Sequence, residues 1–187
     1  MKPKHIALFL FAVLLLAACA PATQTAPYYG RFLVGEEDID EFSEIIRNND
    51  IDYDYKNKLQ TSDDSNAGMN MSAGEYAALW KSEMESQYEK LYNLLSGYVQ
   101  SGEIDPACLQ ELSDAQTAFL ESLKGDMIFT ENTLGMGGDL SRMGTFGTVM
   151  INSNYASAYR QRTIDLMEYL YLITYHVEFV YQNNFRH

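Results

Sequence analysis

Residues 72–98 read SAGEYAALWKSEMESQYEKLYNLLSGY, and within them Tyr76, Trp80, Met84, Tyr88, Leu91, Leu95 and Tyr98 recur every three or four positions. That rhythm sets large apolar side chains along one stripe of an α-helix of about seven turns. Ser72 with Glu75 three residues later has the form of a capping box, so the helix is expected to open there. The stripe fades between Gly97 and Gly102, and Asp105-Pro106 then offers an N-cap followed by proline at the first helical position. Behind it Leu109, Leu112, Gln116, Phe119 and Leu123 repeat the rhythm, ending at Gly125 or a turn or two later, after Met127, Ile128 and Phe129. Residues 135–147, GMGGDLSRMGTFG, contain five glycines and cannot be helical throughout. A last helix is expected from about residues 152–155 on the stripe Ala156, Tyr159, Thr163, Leu166, Leu170, Ile173, Val177 and Val180, reaching Asn183-Asn184. Trp80, Tyr88 and Phe119 sit on these stripes and are expected in the core.

Upstream lies an acidic block. From Glu36 to Asp54 nine carboxylates (Glu36, Glu37, Asp38, Asp40, Glu41, Glu44, Asp50, Asp52, Asp54) face Arg47 alone. Ile39, Phe42, Ile45 and Ile46 recur at helical spacing, which predicts one short amphipathic helix, and residues 61–71, TSDDSNAGMNM, read as a loop. No segment shows convincing period-two alternation. The fold class is therefore all-α: an antiparallel bundle of three longer helices, with a short acidic N-terminal helix and a Gly-rich loop before the last helix.

The N-terminus carries a different signal. Lys2 and Lys4 precede an unbroken apolar run of 13 residues from Ile6 to Ala18. A spanning helix needs about 20 such residues, so this is the core of a signal peptide. Leu16-Ala17-Ala18-Cys19 resembles the lipobox of bacterial lipoproteins, which implies cleavage before Cys19 and a lipid on that cysteine. The domain boundaries that follow are 1–18 signal peptide, 19–35 lipidated cysteine and tether, 36–71 acidic segment, and 72–187 helical domain. The localisation expected is the bacterial cell envelope, with the protein lipid-anchored to the outer membrane and facing the periplasm or the cell surface.

The whole chain has 187 residues and a formal charge of −13. Loss of Lys2 and Lys4 with the signal peptide leaves 11 basic against 26 acidic side chains, a balance of −15. Such a charge argues against nucleic acid and against electrostatic binding to an anionic membrane. With Cys19 acylated, Cys108 is the one free thiol, and no intrachain disulfide is available.

Most catalytic chemistry is excluded by spacing. The histidines of the mature chain, His176 and His187, are too few for a zinc site with one free cysteine. Asp50-Ile51-Asp52-Tyr53-Asp54 opens like a calcium loop, but its sixth position is Tyr55 rather than glycine and its twelfth is Thr61 rather than glutamate. The glycine segment lacks the third glycine of a dinucleotide turn and any Gly-Lys-Ser/Thr. A Gly-x-Ser-x-Gly elbow is absent too. Carboxylate pairs such as Glu83 with Glu89, or Glu111 with Asp114, read as solvated helix faces. The expectation is a non-catalytic protein with no metal and no cofactor. Its candidate partner-binding residues are Glu36, Glu37, Asp50, Asp52, Tyr53, Asp54 and Tyr55 in the acidic block, and Asp139 and Arg142 in the glycine loop. Tyrosines off the stripes, Tyr28, Tyr29, Tyr53, Tyr55, Tyr92 and Tyr155, are either a binding surface or partly buried rim residues.

Across about residues 72–170 the helical half resembles the lysozyme-inhibitor LprI-like family of small exported bacterial proteins. Its L-x-x-x-Y-x-x-L element is matched by Met84, Tyr88 and Leu91. Its A-Q-x-A-W element is matched by Ala115-Gln116-Thr117-Ala118-Phe119, its Gly-Gly loop by Gly137-Gly138, and its R-x-x-x-L by Arg162 and Leu166. The chain departs where family members carry disulfide-forming cysteines: Met127 stands at about the first position and the Ser153-Asn154 region at the second. Ser122-Leu123-Lys124 replaces the family's aromatic-Arg-Asp segment. The resemblance implies a lipid-anchored protein that binds a basic partner such as a lysozyme, steered by its negative charge. The alternative is a scaffold or assembly lipoprotein that binds another envelope protein and has no effect on lysozyme. A third reading is a glycan-binding module using exposed tyrosines and carboxylates.

Overall fold

The computed structural model describes residues 29–61, 66–134 and 144–183, and within them the regular structure is entirely helical. In chain order α1 is Glu36–Arg47, α2 Asp50–Thr61, α3 Asn66–Ser101, α4 Ala107–Leu134 and α5 Gly144–Thr174. Cys19, the expected signal peptide, and Asp139 and Arg142 lie outside the described residues.

Helix ends follow local chemistry, with several departures from the sequence reading; one is that α5 opens at Gly144, inside the segment read as a glycine loop and ahead of the start expected at 152–155. Asp105 caps α4 as expected, accepting from the Ala107 amide at 2.8 Å, and the helix continues past Gly125, as Met127, Ile128 and Phe129 suggest, to Leu134. α3 starts at Asn66, so Ser72 is not a cap: its hydroxyl bonds back to the Gly68 carbonyl at 3.0 Å. At the other end of α3, Gly102 has φ of 78° and donates to the Val99 carbonyl, while Glu103 donates to that of Tyr98. This is a Schellman closure, which requires a left-handed residue and so favours glycine. The acidic block forms two helices rather than one. Between them the buried Asn49 accepts from the Asp52 amide at 2.7 Å and donates to the Ile46 carbonyl at 2.7 Å.

α3 and α5 are the closely packed pair and run in the same direction. Gly74 lies opposite Asn152, the Arg160 guanidinium sits over the Trp80 ring, and Leu91 and Leu95 share a cleft with Ile173. α4 runs against both: Gln116 meets Arg162, while Leu123 and Met127 meet Ile151. α5 is central. Its residues Thr163 to Glu168 are six consecutive buried positions, more than a single stripe allows, because α1, α3 and the N-terminal segment cover it from several sides. Trp80 is fully buried, whereas Tyr88 and Phe119 are half-buried against the core.

The last helix stops at Thr174, short of Asn183. Tyr175 adopts φ of 54°, its amide still bonded to the Tyr171 carbonyl at 2.7 Å, and the chain turns back along α3. From Val177 onward every second residue faces inward: Val177 is buried and Phe179, Tyr181 and Asn183 half-buried, while Glu178, Val180 and Gln182 are exposed. The helical reading failed here because Val177 and Val180, three apart, mimic a stripe.

Two buried glutamates hold the non-helical ends. Glu168 on α5 is fully buried and accepts the main-chain amides of Arg31, Phe32 and Leu33 at 2.5, 2.5 and 3.0 Å. Residues 29–33, part of the segment that composition assigns to the tether, therefore lie against α5, and a Cβ on Gly30 would overlap the Glu168 carboxylate. Glu83 on α3 is 2% exposed and accepts from the amides of Val180 and Tyr181 at 2.8 and 2.9 Å, and from Gln87 Nε2 at 2.6 Å. It is no solvated helix face.

Glu83→Gln puts an amide NH₂ where main-chain donors converge. It should lower unfolding free energy by about 1–3 kcal/mol in a urea titration and expose residues 176–183 to limited proteolysis. Tyr175→Gly relieves the left-handed strain on a side chain that is 74% exposed. It should raise the same free energy by about 1 kcal/mol.

Candidate functional site

The acidic block divides into an inward and an outward half. On α2, Asp50 and Asp54, one turn apart, point at the C-terminal segment, while Asp52 lies on another face toward α3 and α5. Asp50 accepts the Asn183 amide at 2.8 Å. Asp54 accepts the Tyr181 hydroxyl at 2.6 Å and a bond from the Asn183 side chain. Asp52 receives the Tyr76 hydroxyl at 2.5 Å and Arg160 through Nε and an Nη at 3.2 and 3.1 Å. These three carboxylates fasten the C-terminal segment and α5, and a partner would have to compete for them. Tyr55 is likewise engaged, stacked on Tyr76 with ring centroids 4.0 Å apart, while Tyr53 is exposed.

α1 is the outward half. Ile39, Phe42 and Ile46 turn toward the core, so Glu36, Glu37, Asp40, Glu41 and Glu44, at helical spacing, form an exposed carboxylate ridge. Two of the five have internal partners. Glu41 accepts the Tyr171 hydroxyl at 3.0 Å, and Glu44 pairs with Arg47 at 3.0 Å. Acids in the first turn also complement the helix dipole. Of the residues expected from sequence to meet a partner, Glu36 and Glu37 therefore lie together on this ridge with Asp40, whereas Asp50, Asp52 and Asp54 face the fold.

A second convergence unites the residues that carried the family resemblance. Gln116 of α4 donates to Met84 Sδ of α3 at 3.6 Å and accepts from Arg162 Nε of α5 at 2.9 Å, with the Arg162 guanidinium 5.7 Å from the Phe119 ring centroid. Gln116 was legible as a stripe member; its joining of three helices was not. Among the described residues no group of three or more His, Cys, Asp or Glu side chains could hold a metal ion, and no helix is long and apolar enough to cross a membrane.

Burial and hydrogen bonds to carboxylates together favour the protonated form of several tyrosines. The bond to Asp54, then burial, pushes Tyr181 up to about 12; burial, then the bond to Glu41, pushes Tyr171 up to about 12. Burial and Asp52 move Tyr76 in the same direction, further still. Tyrosine in an unfolded chain ionises near pH 10, so the folded state binds these protons more tightly. The stability involved is present in full below about pH 10 and is lost as pH rises toward about 12. Tyr181→Phe should accordingly lose less of its denaturation midpoint between about pH 9 and about pH 12 than the parent does. Tyrosinate absorbance at each pH checks which phenols have ionised.

The family described as lysozyme inhibitor LprI matches residues 57–166, from within α2 to the middle of α5. No curated protein and no solved structure matches the chain. The matched stretch spans more than half of the chain and contains the whole Met84–Gln116–Arg162 junction, and the chain belongs to the LprI lysozyme inhibitor family.

Proposed function

We propose that this is a non-catalytic protein of the bacterial envelope that binds a lysozyme and blocks it. Family membership carries the reading, and the charge supports it. A chain at −13 attracts strongly basic enzymes of the hen-lysozyme type, and within the acidic block the exposed carboxylates lie on the outer edge of α1. Glu36, Glu37 and Asp40 supply the steering contact in this proposal. The glycine segment 135–147, with Asp139 and Arg142, supplies the element that enters the substrate cleft. Lipidation at Cys19 would hold the protein at the outer membrane, leaving residues 20–28 as the link to the folded domain.

A second reading is a scaffold lipoprotein that binds another envelope protein. It is favoured by one observation: α1 lies outside the stretch shared with the family, so its acidic ridge could serve a partner of this chain alone.

A muramidase assay with hen-type lysozyme separates the two. The lysozyme reading expects inhibition that saturates near one-to-one and survives about 0.15 M salt, where screening acts over roughly 8 Å. Reversing Glu36, Glu37 and Asp40 to lysine should weaken it by about tenfold or more, chiefly in the association rate. An inhibitory effect that vanishes at that salt would leave the scaffold reading in place.

A further inference from the structure

One cleft takes no part in the acidic surface. It lies where the end of α3, the start of α4 and the second half of α5 meet, encloses about 310 Å³, and is walled by Leu91, Leu95, Leu112, Tyr169 and Ile173. Arg162 also lines it. Each other arginine among the described residues has a carboxylate partner: Arg31 has Asp165, Arg47 has Glu44, and Arg160 has Asp52. Arg162 forms no ion pair with a described carboxylate. Its Nε is taken by Gln116. Asp165, three residues along the same helix, is already held by Arg31 and by Gln161 Nε2 at 3.0 Å.

A half-buried guanidinium without a counter-ion is unexpected in a chain with 26 acids and 13 lysines and arginines. Burial opposes its charge, lowering its proton affinity, while Asp165 works the other way. Arginine stays charged regardless, and its planar edge suits a carboxylate with two parallel bonds. Apolar walls with one cation among them are the usual make-up of a site for a small amphiphile.

We propose that this cleft binds a small monocarboxylate with an aliphatic body, its carboxylate on Arg162 and its chain against Leu91, Leu95, Leu112 and Ile173. The volume is at the low end for ligand sites, which suits one short chain rather than a peptide segment. Glu111 also lines the cleft and is exposed; its charge disfavours multiply charged anions such as phosphate. The proposal does not rest on the lysozyme reading, and its test contains no lysozyme.

The test uses decanoate, decanol (the same chain without charge) and acetate (the charge without a chain). Cys108 lines the cleft as a free thiol and reports occupancy. Its alkylation by iodoacetamide, followed by peptide mass mapping so that Cys19 does not interfere, should slow saturably with decanoate. Decanol should be about tenfold weaker or more, and acetate without effect. Calorimetric titration should give the same order. Arg162→Gln, which keeps a polar partner for Gln116, should remove the preference for decanoate over decanol. Ala115→Trp, placed at an exposed position on the cleft wall, should abolish decanoate binding with unchanged circular dichroism. Equal protection by decanol, no saturable protection at all, or parental affinity in folded Ala115→Trp would overturn the proposal. If Arg162→Gln does not fold, the decanol comparison and Ala115→Trp decide.

Discussion

Two carboxylates withdrawn from water set the terms for the rest of this molecule. A buried charge costs several kcal/mol unless hydrogen bonds replace its hydration. Glu168 and Glu83 obtain that replacement from main-chain amides of segments that are not helical. Each bond is charge-assisted, and each lost donor leaves part of a buried carboxylate unsatisfied. The α3–α5 pair is therefore complete only when residues 31–33 and 180–181 are in place. Gly30 belongs to the same arrangement, since a larger residue there would displace the Glu168 carboxylate.

The same economy governs the acidic block. Nine carboxylates in nineteen residues would repel one another if all were solvated on one surface. The fold separates them by direction. Asp50, Asp52 and Asp54 become acceptors for Asn183, Tyr76, Arg160 and Tyr181, so part of the repulsion is converted into attachment of the C-terminal segment. Glu36, Glu37 and Asp40 stay exposed on α1. Formal charge thus overstates what a partner meets, and it is α1 rather than α2 that presents it.

The all-helical class and most of α3, α4 and α5 were legible because apolar residues at three- and four-residue spacing dominate those stretches. Asp105 was legible as a cap because its role is local. What could not be read were features that depend on distant partners. Glu83 and Glu168 look like ordinary exposed helix acids until amides 97 and 137 residues away converge on them. Asp165 and Glu168 lie off the stripe of α5 and read as its polar face, hiding that this helix is buried on several sides. The alternation of Val177, Phe179, Tyr181 and Asn183 was masked by the three-residue step to Val180. Among the candidate residues, composition singled out Glu36 and Glu37 but could not separate them from Asp50, Asp52 and Asp54, whose direction is set by Asn183, Tyr181, Tyr76 and Arg160.

The departures from the family pattern fit this picture. Where resemblance to the family implies a disulfide-forming cysteine near the end of the second long helix, this chain places Met127, which packs with Leu123 of α4 and Ile151 of α5. Apolar contact holds that junction without restricting the unfolded chain as a crosslink would. Next to it on α4, Ile128 and Phe129 remain exposed, so this end of the helix buries less of its apolar surface than α3 and α5 do. Regions with few buried contacts open at lower free-energy cost than the global fold. The added fastening lies elsewhere, at Glu83 and Glu168. Glu168 and the amide-bearing segments at both ends fall outside residues 57–166, the stretch shared with the family. The segments that close the core at Glu83 and Glu168 thus lie outside the matched stretch, which itself contains the three-helix junction at Met84, Gln116 and Arg162.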